Sequence, residues 1–229
     1  LSWTDNGIIK VIKFLRDKYS ISTFVETGTF KGINSRLHSK NFKKVLTCEN
    51  HNAYYEQAKD NLKKCRNVTI FKENSPDFLK SLIKDKYIFY LDAHFYDAKL
   101  PKKDRFVVLK ELDNMKKFKD SIIMIHDFHN GLGGITYDKI KLNMDLVKSR
   151  LQKINKNFHF YTNTIDGCDP VKPIAKEMHE AGLQVDYDTL DNINYAWTHP
   201  RLTYRGILYC LPTKLYDEDA KALGLREWK

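Results

Sequence analysis

The sequence predicts an α/β fold, a doubly wound and mostly parallel sheet with seven strand candidates. Three observations carry this. Short apolar runs rich in β-branched and aromatic residues recur along the chain, amphipathic segments of helical length separate most of them, and the first five runs end in polar residues. Parallel strands need crossover connections, and helices supply them.

The elements follow in order. Ile8, Ile9, Val11, Ile12, Phe14 and Leu15 keep a helical period behind Asp5 or Asn6, either of which can cap the start, so the chain opens on a helix. "TFVET", "KVLTCE", "NVTIFKE", "YIFYLD" and "SIIMIHD" are each of strand length. Helices are expected to begin near Gly32 and to cover Ala53 to Lys64, Pro76 to Lys84, Asp104 to Lys119 and Tyr137 to Ile154, where apolar residues recur at spacings of three and four. "FHFYTNT" and "GILYCLP" complete the strands. Between them, residues 165–205 contain Pro170, Pro173, Trp197 and Pro200, and so long a connection is expected to be an inserted loop or lid.

At 229 residues the chain fits one domain, expected to span residues 1–229. Lys and Arg number 39 against 29 Asp and Glu, a formal charge of +10 that permits a polyanionic partner. The lysines are spread through helical stretches such as "KDNLKKC" and "NMKKFKD", the pattern of solvated helix faces. Cys48, Cys65, Cys168 and Cys210 form no CxxC pair and read as free thiols, which disfavours a zinc knuckle or a disulfide framework. With no apolar run of membrane length and no charged-then-apolar leader, a soluble, cytoplasmic protein without membrane partners is the expectation; because the first residue is Leu, the numbering can begin inside a longer product.

In an open parallel sheet, ligands bind beyond the carboxyl ends of the strands, where strand order reverses. Those ends read Glu26-Thr27-Gly28, Glu49-Asn50, Glu73-Asn74-Ser75, Asp92-Ala93-His94 and His126-Asp127. Five polar ends on one rim predict a polar cleft. The turn "FVETGTFKG" has neither the G-x-G-x-x-G of a dinucleotide site nor the G-K-[ST] of a P-loop. It does have Gly28, Gly32 and, at the end of the next strand, Glu49, a carboxylate placed to accept both hydroxyls of a ribose. The implied ligand has a ribose and no obligatory phosphate. Each residue also has a purely structural use: Gly28 and Gly32 in a tight turn and helix packing, Asn74 with Ser75 as a helix cap before Pro76.

With these residues in order, the chain resembles the class I S-adenosylmethionine-dependent methyltransferases, whose fold is Rossmann-like. "VETGTFKG" is similar to their motif I, "LTCEN" to the strand carrying the ribose-binding acid and "FKENSPDFL" to the adenine-contacting segment, while "YLDAHF" and "IIMIHDF" resemble the fourth and fifth strands of small-molecule O-methyltransferases. The resemblance implies a C-terminal antiparallel strand and S-adenosyl-L-methionine as cofactor. It implies Glu26, Gly28 and Gly32 around the methionine moiety, Glu49 at the ribose and Asn74 with Ser75 at the adenine edge, with Thr27, Thr29, Asn50 and Asp92 also at the cofactor. Two positions depart from the pattern: Phe30 stands at the usual middle glycine and Asn74 at a common aspartate.

Methyl transfer to oxygen requires alignment of donor and acceptor and removal of the acceptor's proton. His94 is the expected base, with Asp92 and Asp127 beside it as catalytic candidates. Asp92 and Asp127, with His126, also make a candidate site for Mg2+ or another divalent cation. His126 facing the core and His129 capping "NGLGGIT" are the plainer readings of those histidines. The expected activity is O-methylation of a small hydroxylated acceptor, a sugar or a sugar-bearing metabolite. An RNA or DNA methyltransferase is the alternative, weakened because the fourth strand is followed by Asp92-Ala93-His94-Phe95 where base-methylating enzymes carry Pro-Pro-aromatic, and because "IIMIHDF" lacks a lysine. A non-catalytic cofactor-binding domain is the third reading.

Overall fold

The computed structural model describes residues 6–93, 99, 101, 105–131, 134, 136–137, 139–164 and 206–228. The 165–205 insertion, His94 and Cys168 lie outside them. Helix α1 (Asn6–Tyr19) leads into β1 (Thr23–Thr27), α2 (Ile33–Ser39), β2 (Lys44–Cys48), α3 (Asn52–Leu62), β3 (Val68–Phe71), α4 (Ser75–Ser81), β4 (Ile88–Leu91), α5 (Val107–Asp113) and β5 (Ile122–Ile125). A small hairpin, β6 (Thr136–Tyr137) and β7 (Ile140–Lys141), precedes α6 (Met144–Ile154) and β8 (His159–Asn163). The chain closes with β9 (Leu208–Leu211), a helix that we label α7 (Asp217–Ala222) and β10 (Leu225–Glu227).

The main sheet has the order β10-β8-β9-β5-β4-β1-β2-β3. Strands β1 to β5 pair in parallel, and β9 runs antiparallel to both β5 and β8. From β1 the chain goes outward through β2 to β3 and then returns to β4 on the other side of β1, so the order reverses between β1 and β4. That crevice is where an open α/β sheet receives a ligand.

β1 lies inside the sheet between β2 and β4, and every residue in it is buried. Alternate residues serve opposite faces: Phe24, Val45, Ile88 and Ile122 pack with Ile12 and Leu15 of α1, whereas Val25, Leu46, Phe89 and Ile123 pack with α4, α5 and α6. Helix α1 ends where Ser20 turns left-handed (φ 52) and the Ile21 amide bonds back to the Arg16 carbonyl. Among the described residues, no helix is long and apolar enough to cross a membrane.

The sheet has eight strands where the sequence predicts seven. The additional strand, β10, pairs antiparallel with β8 through Leu225↔Asn163 and Glu227↔Tyr161. Its three residues, Leu-Arg-Glu, have no apolar run, so the tertiary edge decides their conformation and propensity does not. The helix expected from Tyr137 starts at Met144, because the chain first folds back as β6–β7 around Lys139 in the left-handed region (φ 66). The helix expected to reach Lys119 stops at Asp113. Asn114 then donates its side chain to the Pro76 carbonyl, tying that end to α4.

Gly32 has φ +77, and a Cβ there would come within 2.9 Å of Leu62 Cγ and 3.4 Å of the Ala58 Cβ on α3. Gly131 has φ +95 with nothing within 4 Å. Gly131→Ala should therefore cost about 1 kcal/mol in urea unfolding, the backbone term, and Gly32→Ala about 2–3 kcal/mol because overlap with α3 adds to it. Equal losses for the two variants would contradict the packing role of Gly32.

Candidate functional site

At the rim, β1 ends on Glu26 and Thr27. The Glu26 side chain turns inward and is fully buried. Asn34 Nδ2 donates to Oε1 at 2.6 Å, Ser35 Oγ to Oε2 at 2.5 Å and Thr47 Oγ1 to Oε2 at 3.1 Å. Thr29 Oγ1 lies 2.6 Å from Thr47 Oγ1 and donates to it when Thr47's proton is given to Glu26. Burial raises the Glu26 carboxyl to about 7; the three donors pull it down, and nearby Asp92 raises it further. Asn34, Ser35 and Thr47, which sequence reasoning did not single out, thus complete Glu26's surroundings; a polar pair opening a helix under a motif I acid was the available signal.

The following turn is fixed by backbone geometry. Gly28 and Thr29 both donate their amides to the Cys48 carbonyl, at 3.1 and 3.0 Å. Gly28 has φ +80, and a Cβ there would lie 2.8 Å from the Asp92 carbonyl oxygen and 3.0 Å from Ala93 Cα. Glycine at this position lets the turn close on the end of β4. Thr27 Oγ1 accepts from the Asp92 amide at 3.2 Å. Thr27 and Thr29 therefore present their hydroxyls to neighbouring protein groups.

Glu49, half-buried at the end of β2, accepts the Phe30 amide on Oε2 and the His51 amide on Oε1, both at 2.8 Å. Each oxygen keeps room for a further donor. Asn50 is exposed, and its carbonyl accepts Lys72 Nζ at 2.7 Å. Asn74 caps α4, accepting the Asp77 amide at 3.1 Å and donating to the Asp77 carboxylate at 2.7 Å, with Pro76 in the first turn behind it; Ser75 is buried at the helix start. The geometry gives Asn74 the capping role that the sequence also allowed.

Asp92, His126 and Asp127 come together. Register makes this so: Leu91 is paired with Ile125, and Asp92 and His126 are the next positions on adjacent parallel strands. His126 Nδ1 lies 2.9 Å from Asp92 Oδ1 and 3.6 Å from Asp127 Oδ1, and all three residues are buried. Asp127 adopts φ 54, a left-handed conformation uncommon for a residue with a side chain, and the next amide, Phe128, is held by the Gly206 carbonyl at 2.8 Å. Such strain persists where its surroundings enforce it, often at functional sites. Two carboxylates and an imidazole, with one atom from each within 4.8 Å of the others, are suited to a divalent cation. His129 is apart from this set: its amide bonds to the Leu142 carbonyl, and burial, then Lys141, disfavours protonation of its ring.

No protein-family model matches the chain, and no curated protein matches it by sequence. Solved structures do match in shape. The plantazolicin methyltransferase BamL, determined with SAH and a triazolic desmethylPZN analog, has a TM-score of 0.51 at 14% identity over 91% of this chain and 86% of its own. The fold is that of the Rossmann-like methyltransferases. A candidate O-methyltransferase from Klebsiella pneumoniae matches at TM-score 0.49 and 11% identity, over 91% of this chain and 81% of its own. The 23S rRNA methyltransferase ErmE matches at TM-score 0.38 and 12% identity over 51% of this chain, which spans 45% of ErmE. On this methyltransferase fold, the β1/β4 crevice lies where Gly28 abuts Asp92.

Glu26 generates a pH prediction. Its carboxyl ordinarily titrates at 4.5 and here at about 7, so between those values the folded chain holds a proton that the unfolded chain has released. Stability must fall as pH rises from about 4.5 to 7 and then level off, a contribution of about 3 kcal/mol. Glu26→Gln should remove this slope in urea titrations across that range. A variant with the same slope as the parent would assign the titration elsewhere.

Proposed function

We propose that the chain is an S-adenosylmethionine-dependent methyltransferase acting on oxygen of a small hydroxylated acceptor, a sugar or sugar-bearing metabolite. The observation that carries the reading is the contact between turn and cluster: Gly28 closes against Asp92, and Asp92 meets His126 and Asp127. A cofactor seated over the turn would place its methyl group near the residues proposed to handle the acceptor's hydroxyl.

The residues fit the cofactor. Glu49 offers an acceptor site on each oxygen for ribose hydroxyls, and its two backbone donors fix the carboxylate without using those sites. Glu26, Thr27, Thr29 and Gly32 act beneath the methionine end by shaping the turn. Asn50 follows Glu49 at the cofactor, Ser75 stands at the adenine end, and Asn74 supports that end by capping α4. S-adenosylmethionine supplies an activated methyl group; the chain's work is to align it and to accept a proton.

Asp92, Asp127 and His126 would hold a divalent cation, which lowers the pKa of a coordinated hydroxyl and orients it. Carboxylates suit Mg2+ and Mn2+, and the imidazole moves preference toward Mn2+ or Zn2+. His94, outside the described residues but two positions beyond Asp92, is the proposed base. Cytoplasmic location and a single methyltransferase domain with residues 165–205 as acceptor lid belong to the same reading.

Calorimetry with S-adenosylmethionine tests the cofactor assignment: the protein should bind it, and Glu49→Ala should weaken binding at least about tenfold, the worth of two charge-assisted hydrogen bonds. No binding by folded protein would sink it. Mass spectrometry for a methylated product across sugars, phenols and RNA tests the acceptor. His94→Ala should lower kcat by about 10²–10⁴. Activity that survives exhaustive chelation would remove the cation and leave His94 as base.

A further inference from the structure

The middle glycine of the family's turn is replaced by Phe30, and the structure shows what the replacement does. Phe30 stands at φ 50, a conformation that costs a residue with a side chain about 1–2 kcal/mol. Its ring lies 4.4 Å, centroid to centroid, from that of Tyr54 in the first turn of α3. The ring of His51 lies 4.7 Å from the same Tyr54. Phe30 and His51 are also the two residues whose amides hold Oε2 and Oε1 of Glu49. One exposed tyrosine thus packs against both residues that fix this carboxylate, and the Lys31 ammonium lies 5.6 Å from the Phe30 ring.

Resting on the cofactor reading above, we infer that Phe30, Tyr54 and His51 form an aromatic clamp that positions Glu49 for the paired hydroxyls of a ribose. Glycine at position 30 would adopt the same φ without strain but would also sample many others, and its amide would point at Glu49 for only part of the time. The aromatic contacts select the left-handed conformer and offset its strain. Neither Phe30 nor Tyr54 needs to touch the ligand: they are positioning residues acting through Glu49. The clamp contributes pre-organisation, which appears in affinity as a smaller ordering cost on binding.

The experiment compares S-adenosylhomocysteine with its 2′,3′-dideoxy counterpart by calorimetry on the parent protein, Phe30→Gly, Tyr54→Ala, Tyr54→Phe and the Phe30→Gly/Tyr54→Ala pair. The parent should prefer the hydroxylated ligand. Phe30→Gly and Tyr54→Ala should each lose about tenfold in affinity for it, with little change for the dideoxy ligand. The double variant should lose no more than either single change, since both disable one device. Tyr54→Phe keeps the ring and should bind as the parent does. A purely structural role would instead follow the thermal midpoint, which Phe30→Gly should leave level or raise by relieving strain. If the parent binds neither ligand, the cofactor reading falls and takes the clamp with it. If the parent prefers the hydroxylated ligand and both single variants keep that preference undiminished, the clamp is overturned while the cofactor reading stands.

Discussion

The hydrogen bonding of the buried Glu26 carboxyl is the constraint on which the site depends. A carboxylate removed from water is costly unless donors replace the lost hydration. Here three side chains replace it: Asn34 and Ser35 at the start of α2 and Thr47 in β2. Satisfying Glu26 therefore ties β1 to the next helix and the neighbouring strand at once. The turn between Gly28 and Gly32 is strung across this knot, and its amides are drawn to the Cys48 carbonyl one strand over. Moving α2 would strand a buried carboxyl without its donors, so the position of the turn is set by polar satisfaction as much as by glycine geometry.

The two glycines of that turn do different work, and the sequence does not distinguish them. Gly32 has no Cβ because Leu62 and Ala58 of α3 occupy the space, whereas Gly28 has none because the backbone of Asp92 and Ala93 does. The first is helix packing; the second brings the turn against the catalytic candidates. Strand periodicity made β1 to β5, β8 and β9 legible within a residue or two: most are short buried runs, and β3, a partly exposed edge strand, is marked by its β-branched and aromatic residues. β10 was not legible, because Leu-Arg-Glu owes its conformation to the open edge of β8. The β6–β7 hairpin was hidden by apolar spacings that also suit a helix.

Within the site, residue types were legible and directions were not. A strand ending in Asp92 beside one ending in His126-Asp127 announces a polar rim, but the closeness of His126 to Asp92 depends on the Leu91↔Ile125 register. Glu26 shows the same limit. Its place in the motif suggests a group at the ligand, and only the structure shows that its side chain turns beneath the turn and accepts from Asn34, Ser35 and Thr47. Phe30 reads in the sequence as a poor fit to the family, because sequence shows the missing glycine and not the rings of Tyr54 and His51 that stand in for its freedom.

The charge of the chain and the charge of the site have opposite signs, and the local one governs the ligand. The formal +10 is distributed over lysines, many of them exposed, where salt screens it within about 10 Å. At the crevice, Asp92, Glu26 and Asp127 all act on one point: after burial, these three carboxylates are the next causes that raise the hydroxyl of Tyr90 far above its ordinary value. Fields of buried groups are screened little, so this small acidic volume outweighs the basic surface for anything that enters it. On the proposed reading, the cations that must enter are the sulfonium and ammonium of the methyl donor and a divalent metal. A bound cation would offset the charge of Asp92 and Asp127, so the donor's sulfonium would feel only the negative charge left over, and a donor that becomes neutral at sulfur once its methyl group leaves would be held less firmly by that remainder.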